Sequence, residues 1–404
     1  MLTQQSNSGF QGHVLIIGGG IGGSALALFL KKAGISSTVY EAYPYKDGVG
    51  GGLGLAPNGM NVLDALGLAE RTKARGSLGL ENVFYNEHGR ILARFKNGDS
   101  EQYGQSAVSL LRPALYDVLT EALVEQGVKI EYERRLERIS TSETKVTAHF
   151  EDGTSAEGDL LVGADGIHSQ TRRFLLPDGP EPAFVGIISI SGVAPSSAVP
   201  AMSQRDKQSF TFTYGANGFF GYSGVENGDV MWWSNLPRER ELTQAELMDD
   251  SLESVQREML AVYRGYHDPI ETLIRNTHSP VKFNIHDIQS LPRWHQDRVI
   301  LIGDAAHAVS PNAGQGAAMA LEDAMYLARL LRHTDCYQQA FAQFEADRKP
   351  RVEKIVAEGR RRGNDKQIVS PWQQKVRELM MMIFLNLFGI KGQDWLYGYK
   401  IAWE

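Results

Sequence analysis

A chain of 404 residues that is 42% hydrophobic and 22% charged can bury a sizeable core in two domains or one large composite domain. A formal charge of −7 and a pI near 5.9 argue against a nucleic-acid surface as its main business. A single cysteine, Cys336, excludes an internal disulfide framework and a cysteine-rich metal site, and suits a reducing cytosol.

The opening residues "MLTQQSNSGFQG" lack the basic flank and apolar centre of a secretion signal, so a cytoplasmic location is expected. Residues 13–17 then read as a buried strand, 21–33 as a helix with Ile21, Ala25, Leu28 and Phe29 at helical spacing, and 37–41 as a second strand. Between the first two, Gly18, Gly20 and Gly23 fit G-x-G-x-x-G. Gly18 permits the tight turn, Gly20 lets a pyrophosphate approach the backbone, and Gly23 lets the helix lie close to the strand. The following helix would present its unpaired N–H groups, from Ile21 and Gly22 onward, to the phosphates. Glu41 ends the second strand, followed by Ala42, where a carboxylate accepts from a ribose and repels a 2′-phosphate. The alternative, a bare turn with an incidental glutamate, loses ground in this strand–turn–helix–strand context, which points to an adenine dinucleotide.

Residues 48–68 read as a glycine-rich loop leading into a helix, 115–123 as a helix and 128–133 as a strand. "DLLVGADGIHSQTRR" (159–173) is a strand running into Asp165-Gly166. From about 184 to 240 the pattern turns to alternation, as in "SFTFTYG" and "GDVMWWSN", which predicts antiparallel sheet. Helix returns over 242–276. A buried strand at 298–303 ends in Gly303-Asp304, and Gly314-Gln315-Gly316-Ala317 opens a helix reaching about 333. The last seventy residues are helical and charged up to "MMMIFLNLF" (380–388), which is too short to span a bilayer. That segment either caps a site or packs on the nucleotide domain.

An aspartate at a strand end beside a second helix N-terminus suits a polyol chain and an electron-rich ring, which favours a flavin over NAD alone. The three segments, 13–42, 159–173 and 298–324, resemble in order and spacing those of the single-component, class A flavoprotein monooxygenases, with "GDAAHAVSPNAGQG" the most specific stretch. The salicylate, hydroxybenzoate and urate hydroxylases and the tetracycline-inactivating monooxygenases belong to this family. The resemblance implies that Asp304 binds the FAD ribitol, that Gly314 to Ala317 lie beside the isoalloxazine, and that Arg112 contacts FAD. It also implies that Leu136 touches adenine through its backbone, and that Asp165 belongs to a motif tied to both FAD and pyridine nucleotide.

The implied fold is an α/β composite: a Rossmann-like FAD-binding domain (1–75, 104–183 and 281–350), an inserted antiparallel β-sheet substrate domain (76–103 and 184–280) and a C-terminal helical region (351–404). The implied reaction is NADH- or NADPH-driven hydroxylation of an aromatic or polyketide-like small molecule by O2, through a flavin C4a-hydroperoxide. A flavin reductase of the same fold and a flavin-based redox sensor are the alternatives. Phe210, Phe212 and Tyr214 alternate onto one strand face, with Tyr222, Trp232 and Trp233 on neighbouring strands, so together they promise a water-excluding wall or simply a domain core. Tyr214 or Tyr222 is placed to hydrogen-bond a substrate oxygen, and Pro311 to shape the loop under the ring with its carbonyl toward substrate. His307 reads as a packing or flavin-loop residue rather than a base, and "EGRRRGNDK" (358–366) as a solvated helix face. No metal motif is present, neither nucleic acid nor stable membrane insertion is expected, and a monomer or a homodimer fits equally.

Overall fold

The computed structural model describes residues 9–45, 51–98, 100–248, 251–278, 280–364, 370–389 and 391–404. The apolar strand His13–Ile17 lies inside a six-stranded sheet, between Ser36–Tyr40 and Leu160–Gly163, both parallel to it. Lys129–Glu131 extends one side; Val299–Leu301 and the antiparallel edge His295–Gln296 extend the other. A parallel sheet needs helices on its faces, which is why the strands His13–Ile17, Leu160–Gly163 and Val299–Leu301 are almost continuously apolar. The helix Ile21–Lys32 covers one face and packs on Gly316–His333, with Gly22 facing Ala320.

The second sheet has seven strands, in the order Val281–Asp287, Ala183–Ala194, Val230–Pro237, Phe219–Gly224, Ser209–Tyr214, Glu81–Asn86 and Ile91–Lys96. Every pairing is antiparallel except Ser209–Tyr214 with Glu81–Asn86, which is parallel. The strand Val281–Asp287 corrects a boundary: residues 281–287, expected with the nucleotide-binding unit, form the outer strand of this sheet.

Strand alternation gives the second sheet two different faces. On one, Ile188, Ile190, Phe220, Tyr222 and Trp232 pack against Val255, Met259 and Tyr263 of Leu252–Val262 and against Leu273 and Ile274 of Ile270–Arg275. Trp232 Nε1 donates to Thr277 Oγ1 at 2.6 Å and Tyr263 OH donates to the Phe219 carbonyl at 2.7 Å, so the polar tips of these buried rings are satisfied. The opposite face carries Ser189, Ser191, Phe210, Phe212, Trp233 and Asn235. The glycine strand Gly52–Leu55, read from sequence as loop, lies against this second face. A side chain at Gly52 would strike Met231 Sδ at 1.9 Å, and one at Gly54 would strike the Phe210 ring at 2.9 Å. Its predecessors 48–50 fall outside the described residues.

Two long helices complete the chain. Tyr337–Asn364 packs on Gly316–His333, and Pro371–Phe388 lies along the edge strand Ile91–Lys96 of the seven-stranded sheet. The 380–388 stretch therefore docks on the second sheet instead of the nucleotide-binding one. Among the described residues no helix is long and apolar enough to cross a membrane.

Candidate active site

The first turn is held by short contacts that side chains would prevent. Gly18 has φ +103°, and a Cβ there would sit 2.4 Å from the Ala164 carbonyl oxygen. A Cβ on Gly23 would sit 1.9 Å from the Gly18 oxygen, so the helix can start this close to its strand only with glycine. Gly20 is different: a Cβ there meets nothing within 4 Å, so the space beside it is open. The Gly19 amide donates to Glu41 Oε2 at 2.7 Å and the Tyr43 amide to Oε1 at 2.9 Å. Glu41 thus braces the turn and keeps about two of its four acceptor sites for a ligand. Ala42 follows at the rim. The Arg134 amide donates to the Glu41 carbonyl at 2.8 Å, which brings Leu136 and its strand, Leu136–Thr141, to the same end of the cleft.

Asp165 braces the second turn. Its carboxylate accepts from Ser169 Oγ at 2.5 Å and from the Thr171 amide and hydroxyl at 3.0 Å each, capping Gln170–Leu175. Burial pushes this carboxyl up despite those donors. The backbone of Asp165, not its side chain, faces Gly18. Sequence reading missed Arg172 in the same helix. It is buried, and it donates to the carbonyls of Ala305 at 3.2 Å and Ile167 at 2.7 Å, tying this turn to the next one.

Gly303, at φ +59°, introduces Asp304. Asp304 opens on the cleft on one side and is enclosed by protein on the others. Burial raises its carboxyl above the usual range, and the nearby charges of His307 and Arg112 oppose that rise. Arg112 starts the helix Arg112–Glu125, and its amide donates to Gly51, so it reaches the cleft from the far wall. Three helices begin around this space, Ile21–Lys32, Arg112–Glu125 and Gly316–His333, and none has a side-chain cap. Their first-turn amides are the donors a pyrophosphate or an anionic ring requires.

A buried ion network stands behind the Asp304 turn. Asp323 accepts from the Gly303 amide at 2.9 Å, from His307 Nε2 at 2.5 Å and from Arg348 Nε at 2.8 Å. Burial would raise its carboxyl, yet His307 and Arg348 hold it at about 2. Neighbouring Glu322 meets Arg348 at 2.7 Å and Arg351 at 2.9 Å, and accepts from Asn58 Nδ2 at 2.7 Å. Asn58 also donates to Gln315 Oε1 at 2.9 Å, so Gln315 is fixed from behind. His307 is accordingly a positioning residue. The signal for this network was present in the sequence: "LEDA" puts two carboxylates on the inner face of an otherwise apolar helix.

The loop over the cleft is a single tight turn, Pro311–Ala313, closed by the Gly314 amide donating to the Pro311 carbonyl at 3.0 Å. The Pro311 carbonyl, expected to face substrate, accepts from the Gly314 amide, which stands at φ +62°, and keeps a second lone pair. Asn312 Oδ1 accepts from Asn235 Nδ2 at 2.8 Å, joining this loop to the second face of the seven-stranded sheet. On that face Trp233 lies across Gly221, where a Cβ would strike its ring at 2.4 Å, and meets Phe212 edge-on at 6.1 Å. Ser191 Oγ comes within 3.1 Å of where a Gly51 Cβ would stand. Ser189, Ser191 and Asn235, none singled out from sequence, supply the polar groups here.

Tyr222 belongs to the other face. It pairs directly opposite Thr211 and Trp232, one residue out of phase with Phe212 and Trp233, so alternation sends it and Trp232 into the helix-backed core. Burial pushes its hydroxyl up. It is no candidate for touching substrate. Tyr214 keeps the site-facing phase but lies at the strand's end, with Arg377 5.8 Å above its ring. The 358–366 run, read as a solvated helix face, is solvated on one side where described, with Arg361 and Arg362 pairing with Glu358, while Gly359 and Gly363 pack on the 309–313 loop and Arg360 pairs with the buried Asp287 at 2.7 Å. A surface cleft of about 640 Å³ near Lys73 and Lys207 is open and polar, and none of the cofactor candidates lines it.

A family model described as "FAD binding domain" matches residues 11–359. The chain is 31% identical to a 6-hydroxynicotinate 3-monooxygenase of Pseudomonas fluorescens over 85% of this chain and 89% of that one. It is also 31% identical to the aurachin C monooxygenase/isomerase of Stigmatella aurantiaca, over 91% and 93%. The structure of Klebsiella pneumoniae HpxO complexed with FAD and uric acid superposes with a TM-score of 0.84 at 25% identity, covering 96% of this chain and 97% of that one.

Proposed function

The chain belongs to the FAD-binding flavoprotein monooxygenases, and from that premise we propose that it uses NADH or NADPH and O2 to hydroxylate a small aromatic, hydroxy-heteroaromatic or polyketide-like molecule. The observation that carries the reading is the Asn235–Asn312 bridge at 2.8 Å. It sets the serine- and aromatic-bearing face of the second sheet directly against the loop beside the cofactor cleft.

FAD, when bound, supplies two-electron chemistry with the reductant and activates O2. The residues present fit it: the open space at Gly20, the uncapped helix starts and the carboxylate of Asp304 facing the cleft match a pyrophosphate and a polyol. In this assignment Gly18 to Gly23 would hold the pyrophosphate, Glu41 the adenosine ribose and Leu136 the adenine edge. Asp304 would hold the ribitol, Arg112 would add a cation, and Gly314 to Ala317 would flank the ring.

The substrate's ring lies against Trp233 and Phe212, whose apolar surfaces exclude water and so suppress wasteful oxidation of the reductant. Ser189, Ser191 and Asn235 orient its oxygen or nitrogen substituents, which holds one ring carbon toward the cofactor loop. Tyr214 contributes at the sheet's end.

The test is direct. The purified protein should be yellow, and NADH or NADPH oxidation should be stimulated by one member of a panel of phenols, hydroxypyridines and polyketides. O2 should be consumed, and the product should be heavier by one oxygen atom. Stimulated turnover that persists without O2 assigns a reductase, and binding without turnover assigns a sensor; either overturns the proposal.

A further inference from the structure

The helix Pro371–Phe388 opens with a capping box between Ser370 and Gln373. One side of it is fastened to the seven-stranded sheet: Gln374 donates to the Tyr214 carbonyl at 3.0 Å, Arg377 to the Gly215 carbonyl at 2.9 Å and Asn386 to the Leu92 carbonyl at 2.9 Å.

Among the described residues, the apolar side chains on the other side are exposed. Trp372, Val376, Leu379, Ile383 and Leu387 follow at intervals of four and three residues, the spacing of a helix seam that meets another helix. Met380, Phe384 and Phe388 widen the stripe. These eight side chains are between 41% and 73% exposed. At roughly 200 Å² of surface per large side chain, the stripe presents on the order of 800 Å². That exceeds the roughly 300–600 Å² of the largest patch on a typical monomer and equals about what each partner gives to a standard interface.

A lipid surface asks for cations on the polar side of such a helix. Here Lys375 and Arg377 are the helix's two cations, Arg377 is engaged with the sheet, and the chain carries a net charge of −7. The same composition suits a second copy, because a two-fold axis lets one self-complementary apolar stripe cover itself.

We propose that two copies of this chain pair through the exposed stripe of Pro371–Phe388, the helices crossing antiparallel about a two-fold axis. The pairing also clamps the opposite side of the helix onto the Tyr214–Gly215 end of the site-facing strand, so the dimer steadies the wall of the substrate face.

Light scattering on the size-separated, FAD-loaded full chain tests this without any assay of activity. The wild type should run at twice the chain mass of 44.7 kDa. The double variant Leu379→Glu/Phe384→Glu, and the milder Leu379→Gln/Phe384→Gln should the first not fold, should run at the single-chain mass with flavin absorbance retained. A wild type at single-chain mass overturns the proposal, as does a dimer that survives both variants. A single-chain wild type that co-sediments with phosphatidylcholine vesicles gives the stripe to lipid and overturns it as well.

Discussion

The two sheets use their residues in opposite ways. In the six-stranded parallel sheet the side chains are structural, and binding potential collects at the strand ends, where turns expose amides and place Glu41 and Asp304. In the seven-stranded sheet the candidate substrate groups collect on one whole face instead. Two tryptophans side by side in sequence show the contrast: Trp232 is sealed against Thr277 and two helices, while Trp233 lies over Gly221 on the cofactor side. A site made from turns depends on backbone geometry and on charges held behind it. A site made from a face depends on the phase of each strand.

The largest effects should come from the charges behind the turns. Arg348→Met leaves Asp323 and Glu322 without their buried cation, and should cost about 3–5 kcal/mol, read as a large fall in the thermal midpoint together with lost flavin. The matching insult to the second sheet, Trp232→Ala, should cost a similar 3–5 kcal/mol through a cavity instead. The two separate by pH. Asp323 is held at about 2, below its ordinary value of 3.8, so its contribution is complete above about pH 4 and lost as the pH falls toward 2. Circular dichroism during acid titration should show that dependence in Trp232→Ala and a flattened one in Asp323→Asn. Equal acid profiles would deny the network its role.

Next comes a prediction that separates stability from binding. The Asp304 side chain is exposed on the cleft, so Asp304→Asn should leave the melting temperature of the flavin-free protein nearly unchanged. It should weaken FAD about 10–100-fold, the loss of about 1.5–3 kcal/mol of charge-assisted hydrogen bonding. Fluorescence titration with FAD and differential scanning calorimetry check the two halves, and a fall in both would show that Asp304 is merely structural.

The same contrast explains what was legible in the sequence. Gly18, Gly20, Gly23, Glu41 and the Gly303-Asp304 pair stand out because a nucleotide turn restricts consecutive positions to a few residue types, and that restriction survives as a pattern. The strands beside them are found by uninterrupted apolar runs. Ser189, Ser191 and Asn235 could not be found that way: each is an ordinary strand residue in sequence, and it is the fold that joins Asn235 to Asn312 far along the chain. The network of Asp323, Arg348 and Asn58 is likewise written across three helices. The strand Val281–Asp287 joins the second sheet, where the sequence boundary at 281 places it with the nucleotide-binding unit, because seven residues of mixed polarity say nothing about their neighbour.

Strand phase gives a third comparison, of about a kilocalorie. Trp233→Phe keeps an aromatic on the cofactor side and should change KM and the ratio of product to reductant consumed while leaving the melting temperature in place. Trp232→Phe removes the donor to Thr277 Oγ1, and should lower stability by about 1–3 kcal/mol with turnover parameters unchanged. Steady-state kinetics with product quantification, beside thermal melts, distinguishes them, and swapped outcomes would mean that substrate meets the other face.

The smallest effect is the sharpest test of phase, because it removes one oxygen atom. Tyr222 hydrogen-bonds Thr211 among buried rings, so Tyr222→Phe leaves the Thr211 hydroxyl short of a partner and should cost about 1 kcal/mol of stability. Its kcat/KM should equal that of the wild type. Tyr214→Phe removes a hydroxyl from the opposite phase of the adjoining strand and should leave the melting temperature nearly unchanged while shifting KM. If Tyr222→Phe alone impaired turnover, the register that pairs Tyr222 with Trp232 and Phe212 with Gly221 would have to slip by one residue, because nothing smaller exchanges the two faces of a strand.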